Sequence, residues 1–283
     1  MRTLVSERIG HFVHDDHRLE YTEFGGGDRW VVLIPGLLMS RRMEQPLART
    51  LAAAGNHVVT LDPLGHGRSD KPSDPSAYSM TAFAEQVVGL LDHLGAERAV
   101  IGGTSLGANV SLEVADIAPE RVNGLLVEMP VLDNAVEAGI LAFGPMLFVA
   151  RFLPVAVRAT RAATVWVPRG VVPFWAGICL DTLNQRPDSM AAFVHGVFFG
   201  RIAPPASRRR RIDAPALVVG HPRDRIHPLA DAEMLAAELP DSTFVRAKGI
   251  GEWRFSPERL DQAAVEFCER VATAGAPSRL QHG

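Results

Sequence analysis

Two cysteines, Cys179 and Cys268, are all that the 283 residues contain. A disulfide framework and a cysteine-rich metal cage are thereby excluded. Each lies in an apolar stretch, so both are expected as buried free thiols. Long apolar runs are also lacking. The longest, Ala138 to Ala150, is too short to span a bilayer and stops at Arg151. Met1 to Val13 carries Arg2, Glu7 and Arg8 and has no apolar signal region. A cytoplasmic chain without a membrane partner is expected. Neither sign of charge is in excess: 29 basic residues face 32 acidic ones, for a net charge of −3. That balance gives no footprint for a nucleic-acid partner. There is no dinucleotide or P-loop glycine pattern and no convincing set of metal ligands, so neither cofactor nor metal is expected.

What is present is a globular composition, 47% hydrophobic and 22% charged. Short β-branched runs alternate with longer helical periods. Arg29–Pro35 (RWVVLIP), His57–Asp62 (HVVTLD), Arg98–Thr104 (RAVIGGT) and Val122–Glu128 (VNGLLVE) read as buried strands. Met43–Gly55, Ser79–Gly95 and Leu106–Ala118 read as the helices between them. Ser79 is an N-cap and Gly95 a stop. The alternation breaks from Pro130 to Ser207, which is rich in Leu, Phe, Ala, Val and Pro. It resumes with a strand at Ala214–Gly220, a helix at Pro228–Leu239, a strand at Ser242–Lys248 and a helix at Pro257–Ala274. Glu7–Val13 and Arg18–Phe24 read as a leading hairpin. This predicts an α/β fold: a mostly parallel twisted sheet with helices on both faces. Residues 1–130 and 208–283 would form the core, and 131–207 an inserted helical cap.

The chemistry is concentrated in Ile101–Asn109. Gly103-Thr104-Ser105-Leu106-Gly107 fits G-x-S-x-G where a strand ends and a helix begins. Small neighbours let the helix approach the strand while the serine takes a strained conformation. Its hydroxyl is then presented at the sheet edge above a helix N-terminus, which favours developing negative charge.

On these residues the chain resembles the α/β-hydrolase fold family over nearly its whole length. Asp62-Pro-Leu-Gly-His-Gly-Arg-Ser69 is similar to the family's loop after strand four. Ile34-Pro35-Gly36-Leu37 is similar to its oxyanion loop, with Pro35 where a histidine is common. The resemblance implies Ser105 as nucleophile and the backbone N–H groups of Leu37 and Leu106 as the oxyanion hole. Losing one such donor typically costs about 2.7–4 kcal/mol of transition-state stabilisation. It implies Asp224, in Gly220-His-Pro-Arg-Asp-Arg-Ile-His-Pro228, as the catalytic acid.

The family's histidine after the last strand is missing. That stretch reads Lys248-Gly-Ile-Gly-Glu-Trp-Arg-Phe-Ser-Pro257, with Glu252 in its place. No histidine occurs between His227 and His282. A serine needs a base, and imidazole suits the work because its pKa lies near neutrality. Three readings stand. His227, three residues after Asp224, supplies the imidazole. Or Glu252 acts directly, its pKa raised by a like-charge pair with Asp224. Or hydrolysis is lost and Glu252 pairs with an arginine such as Arg254, leaving a non-hydrolytic enzyme or small-molecule binder. Glu128, at the end of its strand, is a reserve acid.

The segment 131–207 offers Phe143, Met146, Leu147, Phe148, Phe152, Leu153, Trp166, Phe174 and Trp175. If some face the serine, a hydrophobic substrate is favoured, at about 0.8 kcal/mol per buried CH₂. Leu38, Phe148, Trp175 and His195 are the candidate substrate contacts. Ester, thioester or lactone hydrolysis is the expected reaction. Arg208–Arg211 reads as a solvated hinge, or as a contact for a carrier-protein-bound acyl group. His14 to His17 reads as a polar hairpin turn in preference to a metal site.

Overall fold

A computed structural model describes residues 5–134, 144, 148, 152–167, 172–183, 187–198 and 200–274. Phe143, Met146, Leu147, His282 and the side chains of Trp175 and Cys179 lie outside what it describes. The strands are β1 (Glu7–His14), β2 (His17–Gly25), β3 (Arg29–Ile34), β4 (Asn56–Asp62), β5 (Ala99–Thr104), β6 (Val122–Glu128), β7 (Ala216–Gly220) and β8 (Ser242–Arg246). They form one sheet in the order β1-β2-β4-β3-β5-β6-β7-β8. β1 and β2 pair antiparallel, as do β2 and β4; every other pairing is parallel.

The helices are α1 (Gln45–Ala53), α2 (Met80–Leu94), α3 (Leu106–Ile117), α4 (Pro154–Thr164), α5 (Phe174–Leu183), α6 (Pro187–Phe198), α7 (Ala206–Arg209), α8 (Leu229–Glu238), α9 (Glu252–Phe255) and α10 (Glu258–Ala274). α4 to α6 fall between β6 and β7, where the alternation breaks. No described helix is long and apolar enough to cross a membrane.

Strand alternation builds two cores, one on each face of the sheet. Val32 and Ile34 join the α2, α3 and α8 side, with Phe83, Val87, Val110 and Leu235. Val31 and Leu33 join the α1 and α10 side, with Leu51, Leu260, Phe267 and Cys268. Cys268 is a buried free thiol, and burial pushes its pKa up to about 12. Ser79 caps α2 by accepting the Ala82 N–H at 3.0 Å, and Gly95 ends it at φ 68°. Such a cap stabilises by about 1 kcal/mol. The Asp15-Asp16 turn closes the leading hairpin with both residues at positive φ.

The Arg208–Arg211 run is only partly a solvated hinge. Arg209 is 2% exposed and holds Glu238 through Nε at 2.6 Å. Arg208 reaches Asp116 at 2.8 Å. The two seat α7 against α8 and α3, while Arg210 and Arg211 remain at the surface.

The turn between β5 and α3 depends on two glycines. A Cβ on Gly103 would stand 2.2 Å from the Ile34 carbonyl oxygen, and one on Gly107 would stand 2.0 Å from it. That neighbour is backbone of the adjacent strand and has nowhere to go. Gly107→Ala is therefore expected to push α3 off the sheet, costing about 1–3 kcal/mol or more. Thermal unfolding should register this as a midpoint lowered by several degrees.

Candidate active site

Ser105 sits between β5 and α3 at φ 57°, ψ −109°. Such a conformation costs a non-glycine residue roughly 1–3 kcal/mol. It is over-determined by its surroundings: the Ser105 N–H donates to the Glu128 carbonyl at 2.9 Å, and its carbonyl accepts from Asn109 N–H at 3.1 Å.

The loop after β7 brings an imidazole to this hydroxyl. His227 Nε2 lies 2.9 Å from Ser105 Oγ, and His227 Nδ1 lies 2.8 Å from Asp224 Oδ2. Asp224 is sequence-local to the ring it holds, and it holds the backbone as well. Its Oδ1 accepts the N–H groups of Ile226 at 2.8 Å and His227 at 3.1 Å. Burial alone would raise the Asp224 pKa. The His227 hydrogen bond and charge, with those two N–H groups, outweigh it and hold the carboxyl below its ordinary value. An ionised Asp224 on Nδ1 requires that nitrogen to carry the proton, leaving Nε2 as the acceptor toward Ser105.

Glu252 is not placed to act as base. Its Oε1 accepts Arg259 Nε at 2.8 Å, and its Oε2 accepts Arg259 Nη2 at 2.9 Å and the Lys248 N–H. The Arg259 hydrogen bonds lower its pKa against a smaller effect of burial, with Lys248 adding to the depression. The expected like-charge pair with Asp224 does not form, because Asp224 spends both oxygens on its own loop. Nor does Glu252 pair with Arg254. The chain turns through α9, which carries Arg254 away to Glu128.

Glu128 belongs to a buried cluster directly behind the serine. Arg254 Nη2 donates to Glu128 Oε2 and, at 2.9 Å, to Thr104 Oγ1. His221 Nε2 stands 2.9 Å from Glu128 Oε1 and its Nδ1 is 3.0 Å from the Gly249 carbonyl. Burial works to raise the Glu128 pKa, but Arg254, then His221 and Thr104, bring it down to about 2. Glu128 is thus committed to this cluster, and it is Asp224 that meets the His227 ring. Sequence reading missed His221, Arg254, Glu44 and Thr104 in this role. No local pattern marks them: Glu44 follows Arg41-Arg42-Met43, and His221 stands in a polar loop.

Thr104 Oγ1 lies 2.6 Å from Glu128 Oε2 and 3.0 Å from Glu44 Oε1. One hydroxyl has one proton, so it cannot donate to two carboxylates at once. With the threonine proton given to Glu128, the Glu44 contact is satisfied when Glu44 carries a proton and donates to the threonine oxygen. Consistent with this, burial pushes the Glu44 pKa up to about 7, with Arg254 opposing and Glu128 reinforcing. A raised folded-state carboxyl pKa gives stability that is present at low pH and lost as pH rises from the unfolded value toward 7. Above that, both states are ionised and the slope vanishes. The loss is on the order of 3 kcal/mol. Glu44→Gln should flatten this slope, as read by urea midpoints at pH 5 and pH 8.

The expected oxyanion donors lie in the turn at residues 36–39 and at the first residue of α3. Among the described residues, the N–H groups of Leu37 and Leu106 donate to no protein acceptor. The candidate substrate contacts are scattered. Leu38 buries its side chain at 1% exposure, Phe148 is 56% exposed against Phe152, and His195 is exposed on α6, whose Phe193, Val194 and Val197 face inward.

A family model described as alpha/beta hydrolase fold matches residues 29–157. The chain has the α/β-hydrolase fold. An enol-lactonase from Burkholderia xenovorans superposes with a TM-score of 0.75 at 20% identity, covering 92% of this chain and all of that one. Epoxide hydrolase B of Mycobacterium tuberculosis is 38% identical over 96 residues, 34% of this chain. That match spans only 27% of the epoxide hydrolase. The 2-hydroxy-6-oxononadienedioate/2-hydroxy-6-oxononatrienedioate hydrolase 2 of Pseudomonas putida is 29% identical over 257 residues, 84% of this chain and 86% of that protein.

Proposed function

We propose that this α/β-hydrolase is a serine hydrolase of carboxylic ester, thioester or lactone bonds in a hydrophobic small molecule. The observation that carries this reading is the relay Asp224–His227–Ser105, at 2.8 and 2.9 Å. Two of its members come from one loop, three residues apart. The enol-lactonase named above shares the fold over its whole length.

His227 Nε2 takes the Ser105 hydroxyl proton as Oγ bonds to the substrate carbonyl carbon. The carbonyl oxygen becomes an oxyanion held by the N–H groups of Leu37 and Leu106. As the bond to the leaving group breaks, His227 returns the proton to it, leaving an acyl-Ser105 ester. Water then attacks that ester with the same imidazole as base, and Ser105 regains its proton. Asp224 stays ionised and steadies the imidazolium. General-base help of this kind contributes about 10²–10⁴-fold. The non-hydrolytic reading rested on a missing base, and an imidazole stands at hydrogen-bond distance.

The test is p-nitrophenyl butyrate turnover followed by acid quench and peptide mass spectrometry. A butyryl adduct on the Ser105 peptide, absent from Ser105→Ala, is expected. Turnover that persists in Ser105→Ala would defeat the reading.

A further inference from the structure

His66 lies outside the relay, yet it is fully buried and fixed at both ring nitrogens. Its Nε2 accepts the Leu38 N–H at 3.2 Å, and its Nδ1 lies 3.1 Å from the Leu64 carbonyl. The backbone N–H can only donate and the carbonyl can only accept. The ring is therefore neutral, with its proton on Nδ1. Burial, the dominant influence, and Lys71 lower its pKa to about 4, which agrees with that assignment.

Leu38 is the residue that needs holding. Residues 36–39 form a turn closed by Met39 N–H to the Gly36 carbonyl at 3.0 Å. Leu38 occupies its third position at φ 58°, where glycine or asparagine is usual. A leucine there carries strain that its surroundings must offset. The preceding residue, Leu37, is the one assigned an oxyanion donor, so the peptide fixed by Leu38 sets the direction of that turn.

The anchor itself is rigid. Lys71 Nζ donates to the carbonyls of His66, Gly67 and Ser69 at 3.0, 2.6 and 2.9 Å. Asp62 accepts the N–H groups of both Arg41 and Arg68, tying the 36–41 loop to the 62–71 loop a second time. On its other side the His66 ring meets Phe193 of α6 edge-on, with centroids 4.9 Å apart. Ser189 of α6 donates to the Lys71 carbonyl at 2.7 Å.

We propose that His66 is a positioning residue for the reaction: through Leu38 it locks the turn that aims the Leu37 N–H, and through Phe193 it couples that turn to the seating of α6. The proposal rests on the acyl-enzyme reading above.

His66→Phe keeps a planar aromatic ring, somewhat larger, and removes the acceptor, whereas His66→Gln offers an amide oxygen to the Leu38 N–H. With p-nitrophenyl butyrate, His66→Phe is expected to lower kcat by about 10- to 100-fold with KM within about twofold. A trifluoromethyl ketone, which forms a tetrahedral oxyanion on serine, should lose affinity by the same factor. His66→Gln should recover most of both. An unchanged inhibition constant in His66→Phe, or a glutamine variant as poor as the phenylalanine one, overturns the proposal. If His66→Phe does not fold, ¹⁵N-histidine NMR of the unmodified protein decides. The Nδ1–H tautomer at His66 is expected, and an Nε2–H tautomer or an imidazolium at pH 7 overturns it. Failure of the underlying reading shows separately, as an unmodified protein that forms no butyryl adduct at Ser105.

Discussion

Replacing His227 with alanine should lower kcat for p-nitrophenyl butyrate by at least about 10³-fold, while Glu252→Gln should leave it within about threefold. The contrast follows from where each group spends its hydrogen bonds. His227 has one nitrogen 2.9 Å from Ser105 Oγ and the other on Asp224. Glu252 has both oxygens on Arg259 and the Lys248 N–H. Removing its charge releases an arginine that is 41% exposed, a small cost in stability with no path to the nucleophile. Asp224→Asn should fall nearer the His227 variant. An amide there can offer its N–H to the ring and stabilise the wrong tautomer, with Nε2 protonated toward the serine. Steady-state kinetics on the three variants, each checked for folding by circular dichroism, separates these roles.

The second large effect is on stability. Arg254→Met should destabilise the fold by about 3–5 kcal/mol, because it leaves the Glu128 carboxylate buried and without its main cation. For a chain of this size that lowers the thermal midpoint by roughly 6–20 °C. His221 remains beside Glu128 at 2.9 Å but is held at its other nitrogen by Gly249, so it offsets the loss only in part. The double variant Arg254→Met with Glu128→Gln should be more stable than Arg254→Met alone, since it removes the stranded charge. Calorimetry checks the ordering. If the double variant is the less stable of the two, the cluster is not held together by this charge pair.

Much of this was legible because its causes are local. A parallel strand buried on both faces reads as an unbroken apolar run, so β3 to β7 stood out. The G-x-S-x-G turn announces itself because Gly103 and Gly107 must clear one carbonyl oxygen. Asp224 and His227 lie within one turn of chain, so their pairing was among the readings that the sequence left open. The cluster behind Ser105 was illegible for the opposite reason. Glu44, Thr104, Glu128, His221 and Arg254 come from five separate segments and meet only when the sheet assembles. Glu252 misled because its position in the β8 loop matched a histidine's. Its carboxylate is claimed by Arg259, seven residues on, across the turn that α9 makes. The hold of His66 on Leu38 likewise joins two loops 28 residues apart.

The most direct measurement is labelling with a fluorophosphonate, mapped by peptide mass spectrometry and timed in the unmodified protein and in His227→Ala. Stoichiometric modification of Ser105, slowed by orders of magnitude in the variant, is the expected result. No label on Ser105, or equal rates in the two proteins, would contradict a hydroxyl activated by the imidazole of its own acid loop.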